Sequence, residues 1–210
     1  MIIAIDGPAA AGKGTLAHRL AAHYGLPYLD TGLLYRLVGK TMAEQKLDLD
    51  NALVAGKIAA TIDLARLTDP SLRGHDAGEL ASQVAIHPVV RDALMAFQRA
   101  FAARSGGAVL DGRDIGTAVV PRADVKIYVT ASPEVRARRR TDELTAKGRA
   151  VEFERILSEI RRRDTRDAGR LAAPLAQAAD AHLLDTTDMA IETAFRAAVD
   201  IVERVRAKSP

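Results

Sequence analysis

Gly7-Pro8-Ala9-Ala10-Ala11-Gly12-Lys13-Gly14-Thr15 follows directly on the apolar run Ile2-Ile3-Ala4-Ile5-Asp6. A buried strand, a glycine-rich turn and a helix opening at Lys13 form one unit, in which backbone N–H groups converge on an anion. Glycine and alanine let the chain curl closely enough for that convergence. The helix N-terminus adds roughly half a positive charge along its axis. Lys13 is placed to reach outer phosphates, and the Thr15 hydroxyl to help hold Mg²⁺. Gly14 stands where Ser or Thr is usual, and Thr15 comes one position later. A strand–turn–helix corner with incidental glycines is the rival reading. Strand, spacing, lysine and hydroxyl together favour a loop that binds a nucleoside triphosphate.

The rest of the composition narrows the class. At 210 residues and 48% hydrophobic content the chain has room for one domain with a small subdomain and a sizeable core. No apolar run approaches the roughly 20 residues a bilayer demands. Met1-Ile2-Ile3 lacks a basic leader, so no signal peptide and a soluble cytoplasmic protein are expected. The absence of cysteine excludes disulfides, thiolate zinc sites and cysteine nucleophiles. His18, His23, His75, His87 and His182 show no metal-ligand spacing. Residues 136–170 carry twelve Lys/Arg against seven Asp/Glu, a net +5, whereas the whole chain is only +3. That confinement suggests a local anion clamp. A nucleic-acid surface would bring stacking aromatics, but these are 4% of the chain and the basic segment holds only Phe153.

Hydrophobic spacing alternates strand and helix. Strands are expected at Ile2–Asp6, around Tyr28-Leu29-Asp30, at 108–111, at Val125–Thr130 and at His182–Asp185. Helices are expected at Lys13–Tyr24, from an N-cap at Thr31 through about Gln45, and at 51–62, 79–86 and 89–103. Ser132-Pro133 opens another. Phe153, Ile156, Leu157 and Ile160 mark the next, and 191–202 the last. The segment 63–78 is ambiguous, since Pro70, Gly74 and Gly78 interrupt it. Such alternation implies a parallel sheet flanked by helices, with ligands beyond the carboxyl ends of the strands. Two pieces read as insertions: a helical subdomain around 31–103 and a charged helical hairpin around 132–170. The core is then about 1–30, 104–131 and 171–210.

Two further strand ends carry polar groups: Asp30-Thr31-Gly32-Leu33-Leu34-Tyr35-Arg36 and Leu110-Asp111-Gly112-Arg113-Asp114-Ile115-Gly116-Thr117. Here the chain resembles the bacterial cytidylate kinases. The matching pieces are Asp6 to Thr15, Leu29 to Arg36, Ala81 to Val84 with Arg91, Leu110 to Thr117, Arg163 to Arg170, Ala173-Pro174-Leu175 and Leu184-Asp185-Thr186. They span nearly the whole chain in the family's order. Other nucleoside-monophosphate kinases share the first loop, whereas Asp-Gly-Arg-Asp with Asp-Thr-Gly-x-x-Tyr-Arg is similar to the cytidylate branch. One departure stands out: many members carry a small antiparallel sheet where 63–78 is short and turn-rich.

The resemblance implies a P-loop nucleoside-triphosphate-hydrolase-like α/β fold with a helical acceptor-binding subdomain and a helical lid. It implies ATP-dependent phosphorylation of CMP and dCMP with Mg²⁺, by direct in-line transfer needing no protein nucleophile. Gly7 to Thr15 would hold ATP, with Lys13 on the β- and γ-phosphates. Thr15 would lie near Mg²⁺, and Asp111 would orient the ion through water. Arg36 and Arg113 would grip the acceptor phosphate, because guanidinium forks match phosphate oxygens. Asp114 would accept from the exocyclic amine of cytosine, where uracil presents a carbonyl. Ser82 and Arg91 would complete that pocket, with Thr31 also on the substrate side. Asp167 would hold ribose hydroxyls, oriented by Arg163, and Arg163 and Arg170 would act on phosphate. The arginines of 136–140 and 161–166 would form the lid, some of them on plain solvated faces. A monomer without nucleic-acid or membrane partners is expected. Kinases for AMP or UMP, and a non-catalytic ATP switch or RNA-binding module, are the alternatives.

Overall fold

β1 (Ile2–Asp6) lies in the middle of the sheet because its residues are apolar on both faces, as a strand covered on both sides requires. In the computed structural model, which describes residues 1–208 apart from the side chain of His75, five strands run parallel. These are β1, β2 (Tyr28–Asp30), β3 (Ala108–Gly112), β4 (Val125–Thr130) and β5 (His182–Asp185), in spatial order β2-β3-β1-β4-β5. The register pairs Asp6 with Gly112 and Asp30 with Asp111, so three polar strand ends finish at one level.

Helices cover both faces. Ile3, Ile5, Val109, Ile127 and Val129 pack with Leu16 and Leu20 of α1 (Lys13–Tyr24) and with Ala198, Ile201 and Val202 of α8 (Ile191–Arg206). Ala4 and Leu110 pack on the other side with Phe101 of α5 (Pro88–Ala102) and with Ile115 and Val119 of a wide helical turn, Ile115–Val119. Each fully buried branched side chain contributes about 1.5–3 kcal/mol.

Among the described residues, further apolar clusters lie outside this core. Leu34, Val38 and Met42 of α2 (Gly32–Glu44) meet Ala55 of α3 (Ala52–Ala60), Ala81 and Val84 of α4 (His75–Val84) and Leu94 of α5. Ala137 and Leu144 of α6 (Pro133–Ala146) pack with Ile156, Leu157 and Ile160 of α7 (Phe153–Ala168). Ser132 caps α6 by accepting from the Val135 N–H at 3.3 Å, with Pro133 at the first helical position.

Several expected boundaries shift. Asn51 is the N-cap of α3, accepting from the Val54 N–H at 3.1 Å, and the helix stops at Ala60. The ambiguous segment becomes two 3₁₀ turns, Leu64–Thr68 and Pro70–Arg73, each started by an aspartate cap, Asp63 and Asp69. α4 then begins at His75, a full turn earlier than 79. Gly78 lies inside it rather than breaking it. Thr31 holds the N-cap position of α2 but caps nothing. Its backbone is already helical (φ −67°, ψ −22°), and its hydroxyl turns towards β3 and donates to the Asp111 carbonyl at 2.8 Å.

Candidate active site

The loop between β1 and α1 is shaped by backbone constraints. Gly7 has φ 145°, and a Cβ there would fall 1.9 Å from the Val129 carbonyl oxygen, so only glycine fits. Ala10 and Gly12 also take positive φ, 61° and 90°, turning the strand end into the start of α1. Outside atoms brace the curl: Thr186 Oγ1 donates to the Ala11 carbonyl at 3.2 Å, and Arg136 Nη1 to the Ala9 carbonyl at 3.2 Å. Lys13 is buried, and its Nζ donates to the Pro8 carbonyl at 2.8 Å. Burial is the largest influence on its ammonium and pushes its pKa down; the charge of Arg113 acts the same way.

Asp111 stands opposite, at the end of β3. It is buried, and its Oδ1 accepts from the Tyr28 hydroxyl at 2.8 Å. Burial, followed by the charge of Asp30, raises its pKa. Among the described residues no group of three or more His, Cys, Asp or Glu side chains could enclose a metal. One or two carboxylates and a threonine hydroxyl suit Mg²⁺, which keeps waters and takes further oxygens from substrate phosphates. The side chains of Asp30, Asp111 and Thr15 on one cleft therefore fit that ion.

The same cleft is lined by arginines brought from three elements. Arg36 comes from α2, Arg113 from the loop after β3, and Arg163 from α7. Arg36 Nη1 donates to the Leu72 carbonyl at 2.9 Å, and Arg113 Nε donates to Asp167 Oδ2 at 3.0 Å. Arg163 stands 3.9 Å from the same carboxylate oxygen. Burial, then the charge of Arg113, lowers the Arg163 pKa to about 10. Burial also lowers that of Arg36, with Arg113 and Arg140 repelling it. Arg163 Nε and Arg170 Nη2 are buried without a hydrogen-bond partner. Desolvated guanidinium donors crowded together and left unmet form a site for an anion. Gly78 leaves room for the Arg163 guanidinium: a Cβ there would sit 3.2 Å from Arg163 Nη1.

Deeper in the cleft Arg91 Nη2 bonds to Asp114 Oδ2, with the two side chains only 4% and 6% exposed. Arg91 also lies 5.4 Å from the centre of the Tyr35 ring. Asp114 lines the cavity, and its Oδ1 accepts no hydrogen bond among the described residues. Ser82 Oγ donates weakly to Asp167 Oδ1 at 3.4 Å. Burial would raise the Asp167 carboxyl, but the charges of Arg113, Arg163 and Arg170 outweigh it and hold its pKa low.

These groups share one cleft of about 760 Å³. It brings together Lys13, Gly14 and Thr15 with Thr31, Arg36, Ser82, Arg91, Asp111, Arg113, Asp114, Arg163, Asp167 and Arg170. Thr31 lines it while its hydroxyl proton is committed to Asp111. Gly7, Pro8 and Ala11 lie behind the loop surface, whereas Ala9, Ala10 and Gly12 face the cleft.

The arginines of 136–140 and 161–166 divide between packing contacts and the cleft. Arg136 is clasped by Asp164 at 2.6 Å across the hairpin, and Arg139 Nη2 donates to the Thr186 carbonyl at 2.6 Å. Arg161 pairs with Glu134 at 2.7 Å, and Arg138 stacks 4.6 Å from the Phe153 ring centre. Arg136, Arg138 and Arg161 hold the hairpin together and Arg139 ties it to the core after β5, whereas Arg140, Arg162 and Arg163 line the cleft.

Sequence reading also missed Asp6. Its two carboxylate oxygens accept from the Ile115 and Gly116 N–H groups, each at 2.7 Å. The residue before the phosphate loop thus fixes the backbone just after Arg113 and Asp114. Burial raises its pKa to about 6 against the lowering effect of those two N–H groups. A buried aspartate ending an apolar strand was the available signal.

A phosphate loop facing a cationic acceptor hollow defines a P-loop kinase of small phosphorylated acceptors. The cytidylate kinase family model matches residues 3–204. A cytidylate kinase of Rhodopseudomonas palustris is 58% identical over 207 residues, covering 99% of this chain and 98% of the relative. Those of Caulobacter vibrioides and Brucella suis are 55% and 52% identical, again across 99% of this chain and 97% and 94% of theirs. The chain belongs to the cytidylate kinase family. Among solved structures, an uncharacterised Eubacterium ventriosum protein shares the fold at TM-score 0.55 and 14% identity, each chain 99% covered. A Thermus thermophilus protein does so at 0.50 and 19%, covering 100% of this chain and 98% of that one.

Proposed function

We propose that the protein transfers the γ-phosphoryl group of ATP to the phosphate of CMP or dCMP, giving ADP and CDP or dCDP. A phosphate oxygen of the acceptor attacks the γ-phosphorus in line, and the bond to the ADP oxygen breaks. The observation that carries this reading is the cluster of Arg36, Arg113, Arg163 and Arg170 lining one cleft with the phosphate loop, in which Arg163 Nε and Arg170 Nη2 lack a hydrogen-bond partner.

The geometry supports a role for each group. Backbone N–H groups of 9–15 hold the donor phosphates, and Lys13 follows the charge that spreads over the moving group. Thr15 and Asp111, the latter through water, would hold Mg²⁺, which would supply positive charge to the donor phosphates. Arg36, Arg113 and Arg163 fix the acceptor phosphate, so the attacking oxygen arrives already oriented. Asp167 holds the sugar, and Arg170 bridges from sugar to phosphate. Asp114 Oδ1 accepts from the cytosine amine and repels a carbonyl oxygen in that place. The segments 31–103 and 132–170, each with its own apolar cluster, act as acceptor subdomain and lid around the remaining core. Their closure keeps water, a competing phosphoryl acceptor, out of the site.

Among the described residues no helix is long and apolar enough to cross a membrane; we read the protein as a cytoplasmic monomer that needs no nucleic acid. Steady-state phosphorylation of CMP, dCMP, UMP and AMP tests the function. Rapid turnover of CMP and dCMP is expected, with UMP and AMP far behind. Equal rates on CMP and UMP would remove Asp114 from its role.

A further inference from the structure

Arg166 follows Arg163 by three positions on α7, yet its guanidinium leaves the phosphate site and reaches the acceptor-binding helix. Nη1 donates to Ser82 Oγ at 3.0 Å and Nη2 donates to Glu79 Oε1 at 2.9 Å. Glu79 and Ser82 are three apart on α4, so the planar fork spans one turn of that helix. Gln83 Nε2, at 3.3 Å, also donates to Glu79 and keeps its carboxylate aimed at α7.

A part-exposed Arg–Glu pair by itself contributes little. The other end of this fork matters more, because Ser82 is 2% exposed and lines the base pocket. We propose that Arg166 is a positioning residue for base selection, tying the lid helix to the Ser82 hydroxyl so that the base pocket is complete only when the lid rests on α4. The proposal rests on the base-pocket reading above.

The chemistry follows from donor counting. A guanidinium has only donors, so it occupies a lone pair of Ser82 Oγ and polarises the hydroxyl towards donation. The proton of Ser82 is weakly held, at 3.4 Å from Asp167. It is therefore available to a ring acceptor. Cytosine presents acceptors at O2 and N3, whereas uracil carries a proton on N3. A hydroxyl made a better donor and a poorer acceptor favours cytosine, and adds to the discrimination by Asp114 at the exocyclic group. In return, a base that engages Ser82 stabilises the closed lid, which carries Arg163 to the acceptor phosphate.

The test compares kcat and KM for CMP and UMP in wild type, Ser82→Ala, Arg166→Ala and the double variant. Arg166→Lys, which keeps the charge and loses the fork, is the second replacement should the alanine variant melt early. Each single change is expected to lower kcat/KM for CMP on the order of tenfold and to affect UMP less. The double variant should be no worse than Ser82→Ala within about twofold, since residues acting through one contact do not add. Losses that multiply, or an Arg166 variant indistinguishable from wild type while Ser82→Ala is impaired, would overturn the proposal and leave the pocket standing. Unchanged use of CMP by Ser82→Ala would bring down the pocket reading itself, and the role of Arg166 with it.

Discussion

Because Arg91 has five N–H donors and no acceptor, it dictates how asparagine would sit at position 114. The amide oxygen must face Arg91, where Asp114 Oδ2 lies now, which puts the NH₂ group in the place of Oδ1, the atom assigned to the base. The group facing the base changes from acceptor to donor. Asp114→Ala is a poorer test, since it strips a partner from a guanidinium whose side chain is 4% exposed. Breaking such a buried pair costs about 3–5 kcal/mol, a large part of a domain's stability. Asparagine keeps the volume and one acceptor, so a loss of about 1–2 kcal/mol is expected. On substrate, cytosine loses a charge-assisted hydrogen bond of about 1.5–3 kcal/mol, and the O4 of uracil gains a neutral one of about 1 kcal/mol. Together these lower the CMP-to-UMP ratio of kcat/KM by about 10² to 10³. Steady-state rates with both acceptors at saturating ATP give the ratio, and circular-dichroism melts confirm that the variant is folded. A folded variant that keeps its preference for CMP within threefold of wild type would refute the assignment of Asp114.

Other expectations follow from the same geometry. Arg36→Ala should raise the KM for CMP about 10- to 100-fold with little change in the KM for ATP; an unaltered KM for CMP in initial-rate data would count against its phosphate contact. Burial depresses the Lys13 ammonium, and a bound triphosphate restores its charge, so ATP binding at pH 8 should take up protons. Calorimetry in buffers of different ionisation enthalpy reads that uptake, which Lys13→Met should abolish; its persistence in the variant would move the effect elsewhere. Asp6 has its pKa raised to about 6, so between its ordinary value of 3.8 and 6 the native state holds more protons than the unfolded chain. Stability from this group is therefore present at low pH and lost as pH rises through 6. Relative to Asp6→Asn, wild type should lose about 2–3 kcal/mol across that window in urea melts, with no further change above it. A relative stability that stays flat or rises would reverse the sign.

The donor loop was legible because its chemistry is local: glycine, lysine and hydroxyl act within nine consecutive residues. The parallel sheet was legible for a similar reason, since a strand such as Ile2–Asp6 is apolar enough to require cover on both faces. What escaped depends on distant partners. Arg161 and Arg163 look equivalent in sequence, but one meets Glu134 across the hairpin while the other faces Gly78 and Asp167. Gly78 read as a helix breaker because glycine lowers helix propensity; it lies within α4 because a larger residue would crowd Arg163. Thr31 read as a cap from its type, whereas its burial against β3 sends the hydroxyl to Asp111. Asp6 had no visible purpose until the turn after β3 was seen to hang from it.

A crystal structure with CMP and a non-hydrolysable ATP analogue would decide whether two nucleotides meet across this cleft. The triphosphate should lie along residues 7–15, the acceptor phosphate among Arg36, Arg113 and Arg163, and the cytosine amine within hydrogen-bonding distance of Asp114 Oδ1. A cytosine ring bound away from Asp114, or one nucleotide filling both halves of the cleft, would contradict the account.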